Sequence, residues 1–214
     1  MKTWHYFVIF TLLAVALLIS CGKDKSETAG DVAEMAMTDE LLIQSAADSA
    51  IARFSSQLKA ALQAAMKEGG PVNAIGVCNE MAPEIAAAHS VEGWYLERVT
   101  DKSRNANNQA DSTQLDLLAQ FAVADSAPAF IGRWVTSTTD TVYRYFKPIR
   151  VGELCLNCHG GQTQLAPGIA EKVAELYPED MATGYQVGDL RGMFVVEIEW
   201  PQGKTHAERL VGGQ

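Results

Sequence analysis

Cys155-Leu156-Asn157-Cys158-His159 constrains this chain more than any other feature. Two thiols three positions apart, with an imidazole directly after the second, is the spacing that attaches haem c. Each thiol adds to one vinyl group of a rigid ring, so both must sit on one tight turn. The histidine must adjoin the second thiol for its imidazole to lie under the iron. A CxxC pair alone would equally suit a thioredoxin-type redox site or half of a zinc site. The histidine in register selects the haem. Gly160-Gly161 comes next, with no side chain to crowd a porphyrin edge. One covalent haem c is therefore the expected cofactor.

The start of the chain predicts export, which haem c attachment in bacteria requires. Lys2 precedes an apolar run from Phe7 to Ile19 that is interrupted only by Thr11. The run is short of the roughly 20 residues of a membrane-spanning helix and fits a signal peptide. It ends in Leu18-Ile19-Ser20-Cys21, which resembles a bacterial lipobox. Residues 1–20 then form the signal and Cys21 carries lipid. Residues 21–31 form a polar tether, and residues 32–214 a single domain. The expected location is the periplasmic side of a bacterial membrane. Gly22 after the cysteine favours the outer membrane.

The chain has four cysteines. With Cys21 lipidated and Cys155 and Cys158 on haem, Cys78 is left over. An unpaired thiol in an exported protein is either a small buried hydrophobe or a functional group such as an iron ligand. Net charge is −9 with no basic run, which argues against nucleic-acid binding. No paired carboxylates stand out for acid–base work and no distal base is identifiable, so an enzyme is not expected.

Residues 32–68 read as one or two long amphipathic helices, with Leu41, Leu42, Ser45, Ile51, Phe54, Leu58, Leu62 and Met66 at helical spacing. Gly69-Gly70 ends this segment. Pro71 suits the first position of a second helix, which carries Cys78 and His89. Pro83 kinks or restarts that helix. Trp94 to Thr100 predicts a strand, and Thr113 to Ala124 a helix with Leu115, Leu118, Phe121 and Ala122 on one face. Gly132 to Ile149 predicts a hairpin around Ser137-Thr138-Thr139-Asp140. The haem motif falls in a loop. Beyond it come a short helix over Pro167 to Leu176 and a strand over Met193 to Trp200. Helices first, then antiparallel strands with helical insertions, predict an α+β fold. The long N-terminal helix either lies on the sheet or serves a homodimer.

The second axial ligand has several candidates: Cys78, His89, His206, Met81, Met181 and Met193. Cys78 and His89 share a helix but lie roughly 16 Å apart along it, so only one can reach the iron. His89 sits at a helix C-terminus, where an imidazolium is favoured. His206 falls in a polar tail and reads as solvated. Met81 and Met193 read as core. The residues alone leave the choice open between Cys78 and the methionines.

A family resemblance adds to this. Its motifs are Ala74-Ile75 with Cys78, Arg98-Val99-Thr100-Asp101-Lys102-Ser103-Arg104-Asn105, Tyr145-Phe146-Lys147-Pro148-Ile149, the CxxCH segment, Tyr177-Pro178 with Asp180 and Ala182, and Gly184-Tyr185 with Gly188-Asp189 and Arg191-Gly192. Over roughly residues 40 to 200 the chain resembles the PAS-like c-type haem domain family. That resemblance implies a PAS-like antiparallel sheet, with His159 and Cys78 as the axial pair. It also implies redox or small-gas sensing through a partner protein. A membrane-tethered, single-haem electron carrier is the alternative. Arg98, Lys102, Arg104 and Arg191 are candidates to pair the haem propionates.

Overall fold

In a computed structural model of the chain, residues 29–213 are described, except 92, 124 and 125. The expected signal peptide and Cys21 lie outside the described residues. The chain divides into a unit ending at Thr38 and a unit of Asp39–Gln214. The first is helical over its described residues, and the sheet and the other helices belong to the second.

Helix α1 (Ala29–Gly76) is broken where Gly69 and Gly70 leave helical geometry, Gly70 at φ 74°. A side chain rarely adopts that conformation, so glycine makes the break possible. Pro71 restarts the helix, and Asn73 Nδ2 donates to Ala65 O at 3.2 Å across the break. The helix continues into a single π turn, Val77–Met81, and then into α2 (Ala82–His89).

The strands are β1 (Trp94–Val99), β2 (Ile131–Thr136), β3 (Thr141–Arg150) and β4 (Leu190–Trp200). They form one antiparallel sheet in the order β1-β4-β3-β2. Alternation along the strands serves both faces. Leu96, Tyr143, Tyr145, Phe194, Val196 and Ile198 meet the α1 residues Ile43, Ala47, Ala50 and Phe54 on one face. Val99, Phe146, Met193 and Val195 meet α3 (Ser112–Ala122) through Leu117, Leu118 and Phe121 on the other. This is the expected α+β, PAS-like architecture, with α1 lying on the sheet from Asp39 onward.

Several expectations shift by a residue or a face. The buried stripe of α1 is set by Ile43, Ala46, Ala47, Ala50 and Phe54, while Leu41 is 62% exposed. Small alanines let the helix approach the sheet closely, so the larger leucine need not face it. On α3, Leu115 is exposed in the same way. Met193 is core, as expected, but Met81 is 43% exposed.

His206 is not in a solvated tail. It sits on a C-terminal helix (Lys204–Gly212), and its ring packs edge-on to Trp94 with 5.1 Å between centroids. His89 packs against Phe54 and bonds Gln57 Oε1 through Nε2 at 3.1 Å. Neither histidine favours the charged form. Burial lowers both pKa values, Arg53 adds to the effect at His89, and Arg209, Arg53 and His89 add to it at His206. Below about pH 6.5 the unfolded chain therefore binds more protons than the folded one, so stability falls as pH is lowered there. Well above that value these groups contribute no slope. We expect the urea midpoint to drop between about pH 7.5 and 5.5, and His206→Gln to shrink the drop. An unchanged pH profile in that variant would show that His206 is not responsible.

Candidate functional site

β1 and β3 end, and β4 begins, at the same end of the sheet. A cavity of about 240 Å³ lies there, within a cleft holding about 1030 Å³ of empty space when its solvent mouth is included. Leu58, Leu62 and Met66 of α1 form one wall, and Val99, Ile149 and Val151 contribute from the sheet end. Cys78, Cys155, Cys158 and His159 all line this one cavity. The fold thus brings together two segments far apart in sequence.

The CxxCH segment is helical rather than a loop. A 3₁₀ turn (Glu153–Cys155) runs directly into the one-turn helix α4 (Leu156–His159). Positions three apart on such a turn share a face, so both thiols point the same way. Gly160 N donates to Leu156 O at 3.0 Å to close the turn. A side chain at Gly160 would place its Cβ 2.7 Å from Leu156 O, so this glycine is required by the turn itself.

His159 is held with care. Its Nδ1 lies 2.7 Å from Ala182 O. A carbonyl only accepts, so Nδ1 carries the proton and Nε2 keeps a free lone pair. Burial, with Arg104 and Arg191 nearby, pushes the imidazole pKa down to about 3. The ring is therefore neutral at ordinary pH, the form that binds iron. Its plane stands 84° to the Tyr185 ring, with centroids 6.4 Å apart. Tyr185 itself is buried with Val151 and Ala182, and does not line the cavity.

Cys78 sits in the π turn. Burial pushes its thiol pKa up, while Arg98, Arg104 and Arg191 pull it down. π turns are uncommon and concentrate at functional sites. Nothing in the spacing of apolar residues around Val77–Met81 signals this one.

Among the other ligand candidates, His89, His206, Met81, Met181 and Met193 are all absent from the cavity lining. Met66 does line it, and the sequence marked that residue only as part of an apolar stripe. Of the four candidate propionate partners, Arg98 and Arg191 line the cavity. Arg98 lies 5.1 Å over the Phe54 ring. Arg191 Nη1 donates to Thr100 Oγ1 at 3.0 Å and to Lys102 O at 3.2 Å. Lys102 is turned instead to Thr183 O, at 3.1 Å, and to the Tyr185 ring. Arg104 is committed to Asp180 at 2.9 Å. Arg150, not singled out by sequence, also lines the cavity, but its Nη2 donates to Phe121 O at 2.6 Å.

A family profile described as Tll0287-like matches residues 27–199. The chain belongs to the Tll0287-like family. A crystal structure of the cyanobacterial haem protein Tll0287 is similar to the chain, with 29% identity and a TM-score of 0.49. The similarity covers 71% of this chain and 94% of that one. No curated protein matches the sequence.

The residues present fit a covalently bound haem of the c type. Two thiols share one face of a turn and a neutral imidazole presents Nε2. The walls are largely apolar, and the guanidinium groups of Arg98 and Arg191 line them, Arg191 with its Nη1 engaged by Thr100 and Lys102.

Proposed function

We propose that this chain is an extracytoplasmic c-type haem protein that senses redox state or a small gas and reports to a partner protein. Cys155 and Cys158 would hold one haem through thioether bonds, and His159 and Cys78 would ligate its iron. The observation that carries this reading is the convergence of these four residues on one cavity.

The Cys155 and Cys158 thiols would add across the vinyl double bonds of the haem, an addition that needs no outside oxidant. Haem held in this way would supply one-electron exchange and binding of diatomic gases. The chain's own residues orient the imidazole, exclude water with leucine and valine walls, and place cations beside Cys78. A thiolate donor favours the ferric state and sets a low potential. Lipid on Cys21 tethers the protein to the membrane, in line with the Leu18-Ile19-Ser20-Cys21 run.

A tethered electron carrier is the second reading. It is favoured by the exposure of Cys155 and of Leu154 beside it, which would leave the attachment edge of the ring open to a redox partner.

Denatured protein is expected to retain one haem by mass and by peroxidase staining on a gel. Cys155→Ser with Cys158→Ser should abolish that retention. Complete extraction of haem from the wild type by acid–acetone would sink the covalent assignment. A redox titration followed by absorption and EPR, with and without carbon monoxide, separates the two readings. Carbon monoxide binding on reduction supports a sensor, and inertness supports a carrier.

A further inference from the structure

We propose that Arg104 and Asp180 are positioning residues that fix the imidazole of His159 for its axial role. This rests on the haem reading of the site, but the geometry that carries it belongs to the chain alone.

Asp180 takes the Arg104 guanidinium with both oxygens, Nε to Oδ1 at 2.9 Å and Nη2 to Oδ2 at 3.2 Å. Both side chains are only 7% exposed. The same Asp180 Oδ1 accepts from Ala182 N at 3.1 Å. Ala182 O in turn accepts from His159 Nδ1 at 2.7 Å. Arg104 Nη2 also donates to Cys158 O at 2.8 Å and reaches Ala182 O at 3.5 Å. These contacts make a closed ring from Cys158 through Arg104, Asp180 and Ala182 to His159. The peptide bond between Cys158 and His159 completes it. One guanidinium therefore holds the carbonyl just before the histidine and the loop that bears its ring's acceptor.

The surroundings reinforce the ring. Tyr185 N donates to His159 O and Gly184 N to Gly160 O, both at 3.0 Å, and Met181 N donates to Ser103 O at 3.0 Å. The loop after Asp180 is thus laced to the haem turn on one side and to the Arg104 loop on the other. A buried ion pair is weak evidence for stability, because apolar replacements often do as well. Partners that orient a ligating histidine, by contrast, set its tautomer and basicity and tune the metal. The pair's neutrality also matters electrostatically, because both charges act on His159. Without Asp180, the Arg104 charge stands uncompensated and favours the ferrous state.

The test uses the full chain with Asp180→Asn and Arg104→Lys. In chain produced without haem, imidazole ¹⁵N spectra of the wild type should show a fixed Nδ1–H tautomer, and Asp180→Asn should mix the two tautomers. In haem-loaded protein, Asp180→Asn should keep the thioether bonds, broaden the low-spin ferric EPR signal and shift the midpoint potential upward. Folded variants with wild-type tautomer, EPR and potential would overturn the proposal. If Asp180→Asn does not fold, Arg104→Lys decides, since lysine keeps the charge but cannot make the forked contacts. Wild-type signatures in Arg104→Lys overturn the proposal, and disturbed ones support it. A wild type without covalent haem, but with a tautomer that Asp180→Asn mixes, supports the positioning role and refutes the haem reading alone.

Discussion

Cys78→Ala is expected to convert the ferric iron from low-spin to high-spin, or to a different low-spin ligand set, with the thiolate signature lost entirely. The EPR spectrum and the sulfur-to-iron charge-transfer band read this directly. The midpoint potential should rise, because a donor that stabilises the ferric state is gone. Haem attachment should survive, since Cys155 and Cys158 are untouched. Apart from the cysteines, the sulfur in the cavity lining is the thioether of Met66, on the α1 wall. Met66→Leu combined with Cys78→Ala distinguishes an open position from a substituted one. An unchanged ferric spectrum in Cys78→Ala would remove Cys78 from the iron.

Phe54→Ala is expected to cost about 3–5 kcal/mol of folding stability, the range for deleting a buried aromatic ring. Phe54 is fully buried, and its ring meets Phe194 edge-on at 5.6 Å. For a unit of this size the loss lowers Tm by roughly 6–20 °C. The same ring supports the Arg98 guanidinium from below. The variant should therefore also disturb the cavity wall, which would show as a shifted potential in haem-loaded protein. Phe54→Leu should recover much of the stability, because it fills most of the volume, but not the contact with the arginine. A Tm within about 2 °C of wild type in Phe54→Ala would contradict the packing described for α1.

The sheet and the α1 break were legible because their signals are local. Gly69-Gly70 can leave helical geometry where other residues resist, and the alternating strands announce themselves by period. The phase of α1 was not legible. A count of large apolar residues points to Leu41, whereas closeness to the sheet selects the alanines. The C-terminal helix was hidden for a related reason. Only Ala207 and Leu210 of Lys204–Gly212 are buried, too few to mark a face in a polar stretch. At the site, spacing singles out the thiols and histidine and the family resemblance adds Cys78, and these four residues line one cavity. Arg104 and Asp180 each fall within a motif of the family resemblance, but their pairing could not be read, because the partners lie 76 positions apart and no local spacing links them.

The π turn at Cys78 has a consequence for how such a chain can change. A π turn is what an α-helix becomes when it accommodates one extra residue. Each residue of α-helix turns the direction of its side chain by about 100°. The extra residue at Val77–Met81 therefore sets the angular phase between the helix before it and α2 after it. Loss of a single codon within this turn would restore regular helix and swing Cys78 relative to α2. The helix carrying this sulfur is thus exposed to one-residue insertions and deletions, a kind of change that conservative substitution in the surrounding core cannot mimic.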